Sequence, residues 1–199
     1  FHKMSPEDWH AVIDVHLNGH FNISRAAINL FREQEYGRIV MVGSTSGLLG
    51  NIGQANYGSA KMGIVALARI VAMENASKGI TANVICPSAD TRMTRSVPTP
   101  KDPSVAAQRE ERLRRSRADA IAPLCVFLAS EQSAYVNGQV FHQRASELSL
   151  YGLPKPVRMV HANGGWTPET IESNAMPALK NQFFDIKDAR SQHPGLPLE

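Results

Sequence analysis

A tyrosine and a lysine four residues apart, Tyr57 and Lys61, have the types and spacing that could carry chemistry. On a helix, side chains at this spacing share one face. A lysine ammonium about 4 Å from a phenol stabilises the phenolate, so such a tyrosine can act as a general acid and base. Ser44 could hold the oxygen of a carbonyl or an alcohol beside that phenol. The same spacing also occurs by chance on helix surfaces. The surrounding elements are therefore needed to distinguish a catalytic pair from a chance surface pair.

The elements predicted around these residues alternate between helix and strand. The sequence at 5–8 combines a capping serine, a proline and an acid, which is typical of a helix start, and apolar side chains then recur at helical steps over 6–34. The segment 38–44 is short, β-branched and apolar on both faces, as in a strand buried in a parallel sheet, with Ser44 at its end. Helical spacing returns over 54–78, and a second apolar strand is predicted over 80–86.

The later part of the sequence gives weaker patterns. After a loop at 88–104, the predicted elements are helices over 104–117 and 119–130, a strand over 139–142 and a short helix over 167–179. Strands that alternate with helices predict an α/β fold with a parallel sheet and right-handed crossovers. Prolines dominate the end of the chain, so we predict a catalytic part at 1–145 and a proline-rich C-terminal extension at 146–199.

Composition excludes several classes of protein. Of 199 residues, 43% are hydrophobic and 20% charged, which is typical of a globular chain. The net charge is +3 with acids and bases interspersed, so no nucleic-acid partner is expected. No apolar run approaches the roughly 18 residues of a membrane helix, and no signal peptide is evident, which predicts a soluble, cytoplasmic protein without a membrane partner. Cys86 and Cys125 are expected to be buried free thiols, and no metal spacing is present.

Three motifs together resemble the short-chain dehydrogenase/reductase family over residues 1–142. They are the strand with its serine at 37–44, the sequence Gly-Asn-Ile-Gly-Gln-Ala-Asn-Tyr at 50–57, and the second strand followed by Pro87. The resemblance implies that the fold is the C-terminal part of a Rossmann-like doubly wound sheet. It also implies an oxidoreductase that interconverts a secondary alcohol and a ketone with a nicotinamide cofactor.

The resemblance gives each candidate residue a role. Tyr57 would move the proton, Ser44 would orient the substrate oxygen, and Lys61 would also bind the nicotinamide ribose. Four residues would lie near the nicotinamide: Pro87, Ser88, Ala89 and Thr91. The expected cofactor is NAD, and NADP stays open. A complete member begins with a glycine-rich turn that holds the pyrophosphate, and none precedes Phe1, so we expect this N-terminal cofactor-binding part to be absent here.

Two departures from the usual family pattern point to one branch. His16 stands where many members have an asparagine that supports a proton-relay water, and Ser88 stands where a glycine usually follows the proline. Both features resemble the 3-hydroxyacyl-CoA dehydrogenase domain of the type 2 multifunctional enzyme of fatty-acid β-oxidation. The implied substrate is a 3-hydroxyacyl thioester or a related alcohol. His16 could hold the same water or relay a proton, or it could simply be packed in its helix.

Two further features leave alternatives open. A basic run could clamp the phosphates of coenzyme A, or form a solvated helix face beside Glu110 and Glu111; its members are Arg109, Arg112, Arg114, Arg115 and Arg117.

The small residues of the helix at 54–78 would let a second chain approach, so we expect a homo-oligomer, a dimer or tetramer, formed by this helix and the helix at 6–34. The alternative to an enzyme is a non-catalytic dimerisation or scaffold module.

Overall fold

The computed structural model describes residues 1–186, apart from the side chain of Arg112. These residues form two compact units that divide between Tyr151 and Gly152. The domain boundary after residue 145 stays a prediction, and the first unit contains a strand beyond it. The helices of the first unit are α1 (Pro6–Ile13), α2 (Gly19–Glu33), α3 (Thr45–Leu49), α4 (Ala55–Asn75), α5 (Arg92–Ser96), α6 (Pro103–Arg115) and α7 (Ala122–Ala129). Its strands are β1 (Gly37–Val42), β2 (Ile80–Ser88), β3 (Val140–Arg144) and β4 (Glu147–Tyr151).

The four strands form one sheet in the order β1-β2-β3-β4. β1, β2 and β3 run parallel, which confirms the predicted α/β class, and β4 returns antiparallel to β3. The sequence pattern does not predict β4. Its alternation of exposed Leu148 and Leu150 with half-buried Ser149 is short, and it stands beside the prolines that dominate the chain after residue 151.

Helices cover the sheet on both faces. On one face, buried residues of α4 pack against β1, β2 and β3; this core comprises Met41, Ile64, Val65, Ala68, Val84, Cys86 and Val140. On the other face, α7 packs against the sheet; that core comprises Ile85, Leu124, Leu128 and Val136. A parallel sheet with both faces covered requires strands that are apolar on both sides, which is the pattern of 80–86.

The helix predicted over 6–34 contains an irregular turn. Ser5 caps α1 by accepting a hydrogen bond from the Asp8 N–H at 3.1 Å, and Asp8 bonds back to the Ser5 N–H, so the predicted start is correct. Between α1 and α2, Asp14–Asn18 form a π-helical turn. Single π turns inside α-helices are frequent at functional sites, and this one carries His16.

The predicted ends of two strands need correction. Ser44 follows β1 and does not end it, since its backbone is extended and it caps α3. β2 continues past the predicted end at residue 86, through Pro87 to Ser88. A proline removes one N–H donor but keeps its carbonyl, so pairing with β3 can continue across it. As a result, Ser44 lies just after the carboxyl end of β1, and Ser88 lies at the carboxyl end of the adjacent strand β2.

The second unit is short in its described part. After an irregular segment, Thr167 caps α8 (Pro168–Thr170), a π-helical turn follows at Ile171–Ala175, and α9 covers Met176–Leu179. This confirms the short helix predicted over 167–179. The last residues of the predicted extension, 187–199, lie outside the described residues. Among residues 1–186, no helix is long and apolar enough to cross a membrane.

Candidate active site

Tyr57 and Lys61 lie on one face of α4, as their spacing predicts. The Lys61 Nζ is 5.5 Å from the centroid of the Tyr57 ring. Lys61 is only 4% exposed, and its Nζ donates a hydrogen bond to the carbonyl oxygen of Val42 at 2.8 Å. Burial lowers the pKa of Lys61, and the nearby Cys86 sulfur acts in the opposite direction. The ammonium is therefore fixed between the end of β1 and the phenol.

Ser44 is oriented by the first turn of α3. Its Oγ accepts a hydrogen bond from the Ser46 N–H at 3.1 Å. This contact uses an oxygen lone pair, so the Ser44 hydroxyl hydrogen can still be donated to another oxygen. The serine is half-buried and stands two residues after Val42, whose carbonyl holds Lys61.

Two glycines bring α3 and α4 together. A Cβ at Gly47 would lie 2.7 Å from the backbone nitrogen of Met62 and 2.9 Å from the carbonyl carbon of Lys61. A Cβ at Gly58 would lie 3.1 Å from the carbonyl oxygen of Ser46. Because the contacted atoms belong to backbone, a larger side chain at residue 47 would push the helices apart. The turn that carries Ser44 is thus held directly against the turn that carries Lys61.

His16 also contacts the tyrosine. Its ring meets the Tyr57 ring edge to face, with centroids 5.1 Å apart and planes at 84°. The pKa of His16 is lowered first by burial, then by the charges of Lys61 and His20. The imidazole is thus biased toward its neutral form. The structure brings His16, Tyr57 and Lys61 into one cluster.

The end of β2 supplies the remaining predicted residues. Pro87 is exposed, Ser88 and Ala89 are half-buried, and Thr91 caps α5 by accepting a hydrogen bond from the Thr94 N–H. The Ser88 Oγ lies 3.0 Å from Nε2 of His142, a residue of β3 that is 2% exposed. Sequence reasoning missed His142. Its position in a strand otherwise expected to be apolar is the signal that could have identified it.

The cysteines are free thiols, as predicted. Cys86 is fully buried, and burial raises the pKa of its thiol to about 11. Cys125 is half-buried, so the expectation of a buried thiol holds for Cys86 and only in part for Cys125. Within residues 1–186, no group of three or more histidines, cysteines or acids could hold a metal ion.

The described arginines of the basic run have local partners. Arg114 and Arg115 both bond to Glu111 and lower the pKa of that exposed carboxyl to about 2. Arg117 pairs with Asp119 at 2.6 Å. Arg109 instead donates to the backbone carbonyls of Thr94, Val97 and Pro98. This arrangement favours a solvated helix face over a phosphate clamp, with Arg109 bracing the loop after β2; the Arg112 side chain lies outside the described residues.

Comparison with known proteins adds the family. Over residues 1–143, the chain matches the family model described as enoyl-(acyl carrier protein) reductase, a model of short-chain dehydrogenases. The chain belongs to the short-chain dehydrogenase/reductase family. The resemblance predicted from the strand, serine and tyrosine motifs is therefore confirmed.

Individual relatives are consistent with one branch of the short-chain dehydrogenases. The chain is 46% identical over 182 residues to the short-chain type dehydrogenase/reductase Rv0148 of Mycobacterium tuberculosis, covering 88% of this chain and 60% of that protein. It is 40% identical over 178 residues to hydroxyacyl-CoA dehydrogenase ChsB1 of the same organism, covering 85% and 55% respectively. The full-length peroxisomal multifunctional enzyme type 2 from Drosophila melanogaster superposes with a TM-score of 0.71 at 29% identity, over 96% of this chain and 34% of that one. This short-chain dehydrogenase sequence thus spans 34% to 60% of these relatives' lengths.

Proposed function

We propose that the protein is a nicotinamide-dependent oxidoreductase that interconverts a secondary alcohol and a ketone on a 3-hydroxyacyl thioester. The observation that carries the proposal is the proximity of Tyr57 to both the buried ammonium of Lys61 and the ring of His16. A phenol beside a fixed positive charge is suited to act as a general acid and base. Such a group, on a helix packed against the turn that carries Ser44, suits an oxygen that alternates between alcohol and carbonyl.

Each residue has one task in this proposal. In alcohol oxidation, the Tyr57 phenolate accepts the hydroxyl proton, and in ketone reduction its phenol returns a proton to the oxygen. Ser44 donates its hydroxyl hydrogen to the same oxygen and so orients it. Lys61 stabilises the phenolate by its charge. His16 holds a water, or relays a proton, on the side of Tyr57 away from the substrate.

The residues present fit the nicotinamide and ribose end of the proposed cofactor. Lys61 reaches the carboxyl end of β1, and Ser88 and Thr91 stand at and beyond the end of β2, where open α/β sheets bind ligands. Tyr57 and Lys61 would bind the ribose, and Pro87, Ser88, Ala89 and Thr91 would line the nicotinamide. When bound, the nicotinamide gives or takes the hydride. We propose NAD as the cofactor, with NADP as the alternative.

The proposed substrate class follows from the relatives. ChsB1 is named a hydroxyacyl-CoA dehydrogenase, and peroxisomal multifunctional enzymes recur among the matches. Over 141 residues, the chain is also 37% identical to a 3-oxoacyl-[acyl-carrier-protein] reductase of Escherichia coli, which covers 70% of this chain and 57% of that protein. The hydroxyacyl-CoA and 3-oxoacyl names share an oxygen on the acyl chain of a thioester, and the second places it on carbon 3. We therefore place the proposed reaction in fatty-acid metabolism.

We also propose that the protein is a homo-oligomer, at least a dimer. Large apolar side chains are exposed along α2 and α4; they include Ile23, Leu30, Met62, Ile70 and Met73. Met62, Ala66, Ile70 and Met73 recur at three- and four-residue steps, so they form one stripe on α4. An exposed apolar stripe of this kind marks an association surface. A second copy that presents the same stripe would bury it.

The proposed activity is tested by NADH formation with 3-hydroxybutyryl-CoA. We expect turnover in the full-length wild-type protein and a loss of about 10²-fold or more in its Ser44→Ala variant, because an orienting donor at the reacting oxygen is removed. Ser59→Ala, an exposed position on α4, is the control and should keep its rate. Folded full-length wild-type protein without turnover of this thioester, with either NAD or NADP, would contradict the proposal and favour the non-catalytic module.

A further inference from the structure

We propose that His142 is a positioning residue, which holds the Ser88 hydroxyl and so fixes the end of β2 that would line the nicotinamide. The inference rests on the function proposed above. The family resemblance places Ser88 beside the cofactor and gives no role to His142. The two side chains meet across neighbouring strands, with the Ser88 Oγ 3.0 Å from Nε2 of His142. His142 is 2% exposed, so its ring lies inside the fold.

Both side chains lie on the face of the sheet that α4 covers. In the parallel register, His142 stands opposite Cys86, and Ser88 follows Cys86 by two residues. Side chains two positions apart in a strand share one face. Cys86 packs in the core with residues of α4, and the Lys61 charge acts on its thiol. Ser88 and His142 therefore belong to the face that carries Lys61, at the carboxyl end of the strands.

The end of β2 is paired on one side only among the described residues. β1 pairs with β2 as far as Ile85, whereas β3 pairs with it through Ser88. The last three residues of β2 thus extend past β1 at the carboxyl edge, where open α/β sheets bind ligands. Beyond them, the Asp90 N–H donates to the Ser116 carbonyl at 2.6 Å, which ties the loop to its own far end. The contact with His142 therefore anchors this turn directly to the sheet.

The hydrogen bond holds whichever partner donates. A neutral imidazole nitrogen can carry a proton or accept one, and a hydroxyl can do either in return. In both arrangements the Ser88 oxygen keeps capacity for a second polar partner, and the residue is only half-buried. The amide of a nicotinamide is such a partner. We therefore expect the His142 ring to hold this hydroxyl in place for the cofactor, so that loss of the ring nitrogen weakens cofactor binding without direct contact.

A double-mutant cycle measures this effect in the full-length protein. Ser88→Ala removes the hydroxyl, and His142→Phe keeps a ring and removes Nε2. We expect the Kd for NADH, from calorimetric titration, to rise about fivefold in each variant, since a net hydrogen bond is worth about that factor. The Kd of the double variant should rise no further, because both changes remove the same bond. His142→Gln can offer its amide to the hydroxyl, so its Kd should stay within about twofold of the wild type.

Ser133→Ala is the matched control for a lost buried hydroxyl. The Ser133 Oγ lies 3.0 and 2.9 Å from the carbonyl oxygens of Leu128 and Ser130, and the residue is fully buried. It precedes β3, so it lies at the opposite end of the strands from Ser88. Its loss should lower the free energy of unfolding and leave the Kd for NADH unchanged. An equal rise of that Kd in Ser133→Ala would attribute the effect to stability and overturn the inference.

The contact has a readout that needs neither cofactor nor turnover. The ¹⁵N shift of the His142 Nε2, assigned by its loss in His142→Gln, should move in Ser88→Ala. An unmoved shift would overturn the inference, as would wild-type NADH affinity in His142→Phe or additive losses in the double variant. If His142→Phe does not fold, Ser88→Ala gives the Kd and the ¹⁵N shift, and both must change. Wild-type protein that binds neither NADH nor NADPH would overturn the proposed function together with this inference, whereas an NADH-binding wild type with any of the results above overturns this inference alone.

Discussion

The Lys61 Nζ donates a 2.8 Å hydrogen bond to the carbonyl oxygen of Val42 and thereby joins helix α4 to strand β1. Lys61 belongs to the same helix face as Tyr57, and Val42 stands two residues before Ser44. One bond from a buried ammonium therefore couples the elements that carry the candidate acid–base and the candidate orienting hydroxyl.

Gly47→Ala should destabilise the protein and separate α3 from α4. The new Cβ would stand within 3 Å of backbone atoms of Lys61 and Met62, which cannot rotate away. Overpacking of this kind costs about 1–3 kcal/mol in the free energy of unfolding. Chemical denaturation measures it. Gly152→Ala is the matched control, because a Cβ there meets no atom within 4 Å. Equal unfolding free energies for the two variants would show that α3 and α4 are not in tight contact.

The contact of Gly47 with α4 could not be predicted from the sequence, whereas features set by local patterns could. The spacing of Tyr57 and Lys61 predicts their shared helix face because helix periodicity is local. The capped start at Ser5 and the apolar strands are local patterns too. The short helix α3 and the strand β4 escape prediction, since five-residue elements are fixed by tertiary contacts and not by periodicity.

The contacts of His20 and His142 also could not be predicted from the sequence. Each contact joins residues that are distant in the sequence. His20 contacts Val42, 22 residues away, and His142 contacts Ser88, 54 residues away. A resemblance carries over residues that match a motif, and these two histidines match none. The same limit applies to Arg109, whose partners are backbone carbonyls of α5 and of the residues that follow it.

Stability should fall as the pH drops below 6.5, in part because of His16. Burial first, and then electrostatic interactions with Lys61 and His20, lower the pKa of His16 from its usual 6.5. Between that usual value and the lowered one, the unfolded chain binds a proton that the folded protein does not. The free energy of unfolding therefore rises with pH in this window. In His16→Asn, the slope of unfolding free energy against pH should be shallower than in the wild type. An identical slope would contradict the assigned environment of His16.

Ile70→Glu should weaken self-association. Ile70 is 47% exposed in the apolar stripe of α4, and a carboxylate there would have to be desolvated at the interface. We expect the dimer dissociation constant to rise about tenfold or more, measured by light scattering over a dilution series. Ile52→Glu is the control, because Ile52 is fully exposed in the loop before α4. An Ile70 variant that stays as associated as the wild type would exclude this face.

Arg109→Lys should loosen the loop that follows β2. The Arg109 guanidinium bonds the carbonyls of Thr94, Val97 and Pro98, and an ammonium cannot reproduce this fork. Amide hydrogen exchange over 92–97 should be faster in the variant. Arg114→Lys changes a side chain paired with Glu111 on its own helix and should leave this exchange unchanged. The same exchange rates in both variants would remove the bracing role of Arg109.

If Tyr57 exchanges the proton of the substrate oxygen, Tyr57→Phe should slow NADH formation from 3-hydroxybutyryl-CoA. Tyr135→Phe is the matched control, because Tyr135 is 82% exposed and far along the chain from the site. Removing a general acid and base costs about 10²–10⁴-fold in rate. We predict that loss in Tyr57→Phe, with the rate of Tyr135→Phe unchanged. A Tyr57→Phe protein that forms NADH at the rate of the wild type would show that Tyr57 does not exchange this proton.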